Sequence, residues 1–93
     1  MSVAYAFRLY VSGDAPNSIK ARSNLAAIIK EYLDESYTVE EVDTLKFPRR
    51  AMEEHIMVTP TLLRVFPLPV RRIVGSLNER DVVVQTLGLT AKV

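Results

Sequence analysis

Few residues of this 93-residue chain could do chemistry. Ser18 stands near the start of an expected helix, His55 is the lone imidazole, and Arg71-Arg72 is an adjacent cationic pair. Lys20 and a small basic group, Lys46, Arg49 and Arg50, complete the set. There is no cysteine, so disulfides, thiolate nucleophiles and Cys-ligated metals are excluded. One imidazole cannot build a zinc site without several carboxylate helpers, and none is expected. Ser18 has no histidine near it in sequence to activate its hydroxyl, and a serine at a helix start ordinarily caps it. His55 reads as a helix-end residue favoured by the helix dipole. The Lys46–Arg50 group reads as a surface helix paired weakly with Glu53 and Glu54.

Arg71 and Arg72 fall in an expected strand, where successive side chains point to opposite faces. One reading has at least one of them meeting carboxylates on a partner, for which the guanidinium fork is suited. The other has them guarding an exposed sheet edge. Lys20 divides in the same way between partner contact and a solvated helix position.

These positions must be held by seven elements. Residues 3–11 alternate with Val3, Tyr5, Phe7, Leu9 and Val11 on one side, the period of a strand. Turn formers from Ser12 to Ser18 end it, and Asn17 or Ser18 is expected to cap a helix over 18–34, marked by Ala21, Leu25, Ile28, Ile29, Tyr32 and Leu33. A weaker strand follows at 37–43, its alternation broken by Glu40-Glu41. Pro48 suits the first turn of a short helix reaching about His55. Strands are expected at 58–66 and 70–74, separated by Pro67-Leu68-Pro69. Asn78 is expected to cap a last helix with Leu77, Val82, Val83 and Leu87 as apolar positions, stopped by Gly88. Tyr5 and Tyr10 read as core aromatics.

The order βαβαββα predicts an α/β fold, a four-stranded mixed sheet flanked by helices in the thioredoxin-like arrangement, over one domain, residues 1–93. In that architecture Pro60, within Thr59-Pro60-Thr61, falls where a cis-proline is common. Near-balanced charge, 12 basic against 11 acidic residues, argues against a dedicated nucleic-acid binder. No apolar run approaches the ~20 residues of a membrane span, and the first residues lack the pattern of a signal peptide. The expected location is the cytoplasm.

Taken in order, Leu9-Tyr10-Val11-Ser12-Gly13, Pro16-Asn17-Ser18, Thr59-Pro60-Thr61-Leu62 and Pro69-Val70-Arg71-Arg72-Ile73-Val74-Gly75 resemble the KaiB family of clock proteins over about residues 5–87. The resemblance implies a non-catalytic binding module that needs no cofactor. It would dock on the N-terminal ring of a KaiC-like ATPase, compete there with the SasA sensor domain, and help sequester a KaiA-like protein. It also implies two packings: a thioredoxin-like monomer and a rearranged βαββααβ ground form that is tetrameric or dimeric. The implied partner contacts are Lys20, Arg71 and Arg72.

Three departures mark the chain as a divergent member. Thr86-Leu87-Gly88 stands where relatives carry Gly-Leu-Asp, so Thr86 and Gly88 should let the last helix run to Leu87 and favour the thioredoxin-like packing. The five residues after Gly88 read without the acidic tail that the resemblance would lead one to expect of a clock-type member. Glu40 replaces a lysine that clock-type members use near a partner. Two other functions remain open beside the binding module. One is a cysteine-free thioredoxin-fold transferase using Ser18 or Asn17, with a pocket beside Pro60. The other is a stand-alone sensor domain serving a separately encoded kinase.

Overall fold

A computed structural model describes residues 4–34 and 36–90. Along the chain lie β1 (Tyr5–Val11), α1 (Pro16–Tyr32), β2 (Tyr37–Asp43), α2 (Pro48–Glu53), β3 (Thr61–Phe66), β4 (Arg71–Val74) and α3 (Arg80–Leu87). The strands form one mixed sheet in the order β2-β1-β3-β4, with β2 parallel to β1 and the other two pairings antiparallel. The expected βαβαββα order and mixed sheet are therefore present.

Period-two alternation divides the sheet's side chains between two layers. Phe7, Leu9 and Val11 of β1 and Leu62 of β3 pack with Leu25 and Ile28 of α1 and with Val83 and Leu87 of α3. Tyr10, Val42 and Leu63 point the other way and are covered by Ala51 of α2. The larger layer thus lies under two helices, while the smaller one depends on a helix of six residues.

Several boundaries differ from the sequence expectation for local reasons. Helix α1 begins at Pro16, whose missing N–H costs nothing in a first turn. Asn17 and Ser18 consequently lie inside the helix, and neither caps it; the flanking residue is Ala15. At α3 the flanking residue is Glu79, again with no side-chain cap, so Asn78 does not cap either. Leu77, expected on the helix, precedes it at φ 65° and is buried. Strand β3 starts at Thr61 rather than 58, because Pro60 offers no ladder donor and the Thr61 hydroxyl turns back to donate to the Val58 carbonyl at 2.6 Å. The Thr59–Pro60 bond is cis, as are those before Pro67 and Pro69. The expected contribution of residue 3 to the first strand lies outside the described residues.

The end of α3 is a Schellman motif. Gly88 adopts φ 71°, its N–H donates to the Gln85 carbonyl, and the Leu89 N–H donates to that of Val84. The helix runs to Leu87 and stops there, with Leu89 buried beneath it.

Candidate functional site

The β1–α1 loop occupies the place where a thioredoxin-like enzyme carries its reactive group. Ser18 is buried there, and its Oγ accepts a hydrogen bond from the Ser12 N–H at 3.1 Å. The hydroxyl oxygen thus closes the loop onto the helix. His55 lies beyond α2, on the opposite face of the sheet from α1, so it cannot serve Ser18 as a base. Arg22 holds the same loop from outside: its guanidinium donates to the Gly13 carbonyl at 2.8 Å, to Asp14 at 3.3 Å and to Glu41 of β2 at 2.8 Å. A hollow of about 360 Å³ beside Pro60 is lined by Thr44, Ala51, Ile56, Met57, Val58 and Thr59. Ser18 is not part of it. A larger open cleft of about 990 Å³ lies between α1 and β2, lined by Leu25, Ile29, Tyr37 and Val39 with Arg22 and Glu41.

The partner-contact candidates occupy separate places. Lys20 is exposed on α1, just past the C-terminal end of β1. Arg71 opens β4, opposite Arg64, which in turn pairs with Phe7 in the first half of β1. Lys20 and Arg71 therefore belong to different ends of the sheet. Arg71 is exposed, and its side chain has no ion pair or hydrogen bond among the described residues. Arg72, on the other face, donates to the carbonyls of Glu54 at 2.8 Å and His55 at 3.1 Å, which follow α2. Its guanidinium closes the end of that helix. His55 sits just past the helix at φ 56° rather than within its last turn.

The basic group around Pro48 is also organised differently from expectation. Arg50 reaches across to Glu40 of β2 with contacts of 2.7 and 3.0 Å, and Arg8 meets the same carboxylate at 2.8 Å. Glu54 accepts from Arg8 at 3.4 Å. The expected pairing of Arg50 with Glu53 and Glu54 is replaced because the sheet brings Glu40 closer. Hydrogen bonds from Arg50, then Arg8, lower the Glu40 pKa to about 2.

Sequence reading missed Arg64. In a β3 run of apolar neighbours it is only 7% exposed, and its terminal nitrogens donate to the Leu87 and Pro69 carbonyls, each at 2.8 Å. A basic residue within Thr61-Leu62-Leu63-Arg64-Val65 was the available signal. Asn24 was missed as well; its amide donates to the Ser76 carbonyl at 2.8 Å and to Asn78 at 2.9 Å, fixing the loop before α3 to α1. Of the two tyrosines expected in the core, Tyr10 is wholly buried, while Tyr5 stacks on Phe7 with centroids 6.0 Å apart.

Among the described residues no group of three or more His, Asp or Glu side chains is placed to hold a metal ion. No helix among them is long and apolar enough to cross a membrane.

A thioredoxin-like fold whose first loop carries a hydrogen-bonded serine and no cysteine defines a class: a redox-type scaffold without its sulfur. Residues 8–89 match the KaiB domain. The chain belongs to the KaiB family. It is 44% identical over 85 residues to the circadian clock oscillator protein KaiB of Synechococcus elongatus, covering 91% of this chain and 83% of that protein. The N-terminal domain of Synechococcus elongatus SasA superposes with a TM-score of 0.75 at 15% identity, covering 91% of this chain and 81% of that one. Mitochondrial thioredoxin 3 of Saccharomyces cerevisiae gives 0.74 at 15% identity, covering 94% and 80%. At such identities these two structures bear on the fold.

Proposed function

We propose that this chain is a non-catalytic module that binds the N-terminal ring of a KaiC-like ATPase and governs the access of other proteins to it. The observation that carries the reading is the β1–α1 loop: its buried hydroxyl oxygen is taken by the Ser12 amide, and the one histidine lies on the other side of the sheet. Surface complementarity is what such a loop has left to act with. Family membership supports a partner among clock proteins, since the KaiB relatives are named as clock oscillator proteins. Of the adjacent pair Arg71-Arg72, Arg71 is the one whose side-chain donors are unspent, and on this reading it meets a carboxylate of the ring, with Lys20 making a second, separate contact. Arg72 contributes by fixing the segment after α2. The binding-competent form is the thioredoxin-like monomer, and Gly88 and Thr86 favour it over a rearranged tetramer by letting α3 run its full length. The protein acts in the cytoplasm.

Isothermal titration calorimetry against the KaiC-type ATPase of the same organism, in its ATP-bound and ADP-bound states, tests this reading. Saturable binding in at least one state is expected. Absence of a complex in both defeats it.

The likeness to the SasA N-terminal domain favours a second reading, a free-standing sensor domain for a separately encoded histidine kinase. Under it, adding this protein changes the rate of kinase phosphotransfer; an unchanged rate removes it.

A further inference from the structure

Arg64 is a buried cation with no carboxylate partner among the described residues. It lies on β3 facing α3, flanked in the strand by Leu63 and Val65. Taking a guanidinium out of water costs several kcal/mol unless its donors are met. Here Nη1 donates to the Leu87 carbonyl and Nη2 to the Pro69 carbonyl, each at 2.8 Å, while Nε is buried without a partner.

Both acceptors suit a cation. The Leu87 carbonyl belongs to the last turn of α3, where helix carbonyls lack an N–H partner and carry partial negative charge. The Schellman bonds use the Gln85 and Val84 carbonyls and leave that of Leu87 to Arg64. Pro69 belongs to the Pro67-Leu68-Pro69 turn, which has few N–H groups of its own. The rigid planar fork of one guanidinium therefore spans two segments far apart in sequence. The fit is close, for a Cβ placed on Gly88 would lie 3.2 Å from Nη1.

We infer that Arg64 is a latch that makes α3 and the β3–β4 turn open together as one unit. Lifting the end of α3 alone strands a buried charge with one acceptor and an orphaned Nε. Opening the turn alone does the same from the other side. Only a joint opening lets water solvate all the donors, so partial release of either segment is penalised and joint release is favoured. Lysine carries the charge but cannot span both carbonyls with a planar fork, and methionine fills the space with neither charge nor donors.

Native-state amide hydrogen exchange at low denaturant tests the latch in the wild type, R64K and R64M. In the wild-type chain the amides of Arg71–Val74 and of 84–89 should exchange with the same opening free energy and the same denaturant dependence. In R64K and R64M the two groups should separate, with 84–89 exchanging at least ten-fold faster relative to β1 amides. Independent exchange of the two groups in the wild type overturns the latch, and that measurement needs no variant to fold. Variants in which the groups stay merged also overturn it. So does a loss of protection spread equally over β1 and α1, because Arg64 would then act on overall stability and not on coupling.

Discussion

The Ser12 amide and the Ser18 hydroxyl oxygen lie 3.1 Å apart, joining the last residue before the β1–α1 turn to the first turn of the helix that follows. The bond is local in sequence yet differs from a cap, because its donor belongs to the incoming loop and its acceptor already stands inside the helix. It makes the hydroxyl at the helix start a loop fastener. Replacing it exposes the cost of an unmet donor. S18A should lower stability by about 1–3 kcal/mol, read from urea denaturation at unchanged m-value. Binding to the KaiC-type ATPase by the folded variant should survive. A variant as stable as the wild type would show that the bond contributes nothing.

Arg71 and Arg72 should separate in mutagenesis. R71A removes an exposed cation without a partner, so stability should stay within about 0.5 kcal/mol while ATPase binding weakens roughly ten-fold. R72A removes the donors that meet Glu54 and His55, so thermal stability should fall by about 1 kcal/mol. Calorimetry and melting curves on both variants check the contrast; R71A binding as tightly as wild type would remove that contact from the proposal.

The Glu40 carboxyl, held by Arg50 and Arg8, sets an acid dependence. Its folded pKa, about 2, lies below the ordinary 4.5, so the unfolded chain binds the proton more readily. The pairing therefore adds stability that is complete above pH 4.5 and is lost as pH falls toward 2. Because the carboxylate is half exposed, the contribution is small. E40Q should flatten the stability-against-pH curve in that window and leave it unchanged above it. E40K, which sets a third cation between Arg8 and Arg50, should be less stable than E40Q at pH 7. Equal pH profiles for wild type and E40Q would show that the carboxylate is not held as the geometry indicates.

Gly88 is a position where a side chain is resisted twice. Its φ of 71° is disfavoured for other residues, and a Cβ would press on Arg64. G88A should cost about 1–2 kcal/mol, lowering Tm by at least roughly 4 °C in a domain of this size. Differential scanning calorimetry checks it, and an unchanged Tm would contradict the left-handed end of α3.

Element order, the exclusion of thiol chemistry and the family blocks were legible in the residue string alone. These are carried by nearest-neighbour patterns: alternation in residues 5–11, three- and four-residue recurrence from Ala21 to Ile29, and proline and glycine at the punctuating positions. Tertiary structure decided where the long polar side chains spend their donors. Arg64 finds Leu87 across 23 positions and Arg8 finds Glu40 across 32, so neither pairing leaves a trace in local periodicity. Asn78 and Ser18 failed as caps for the same reason: a nonlocal amide in one case and an incoming loop in the other offered the hydrogen bond that a helix end would have used. Periodicity specifies which face of an element is buried, whereas the acceptor within reach of a flexible cation is set only when distant segments are packed against each other.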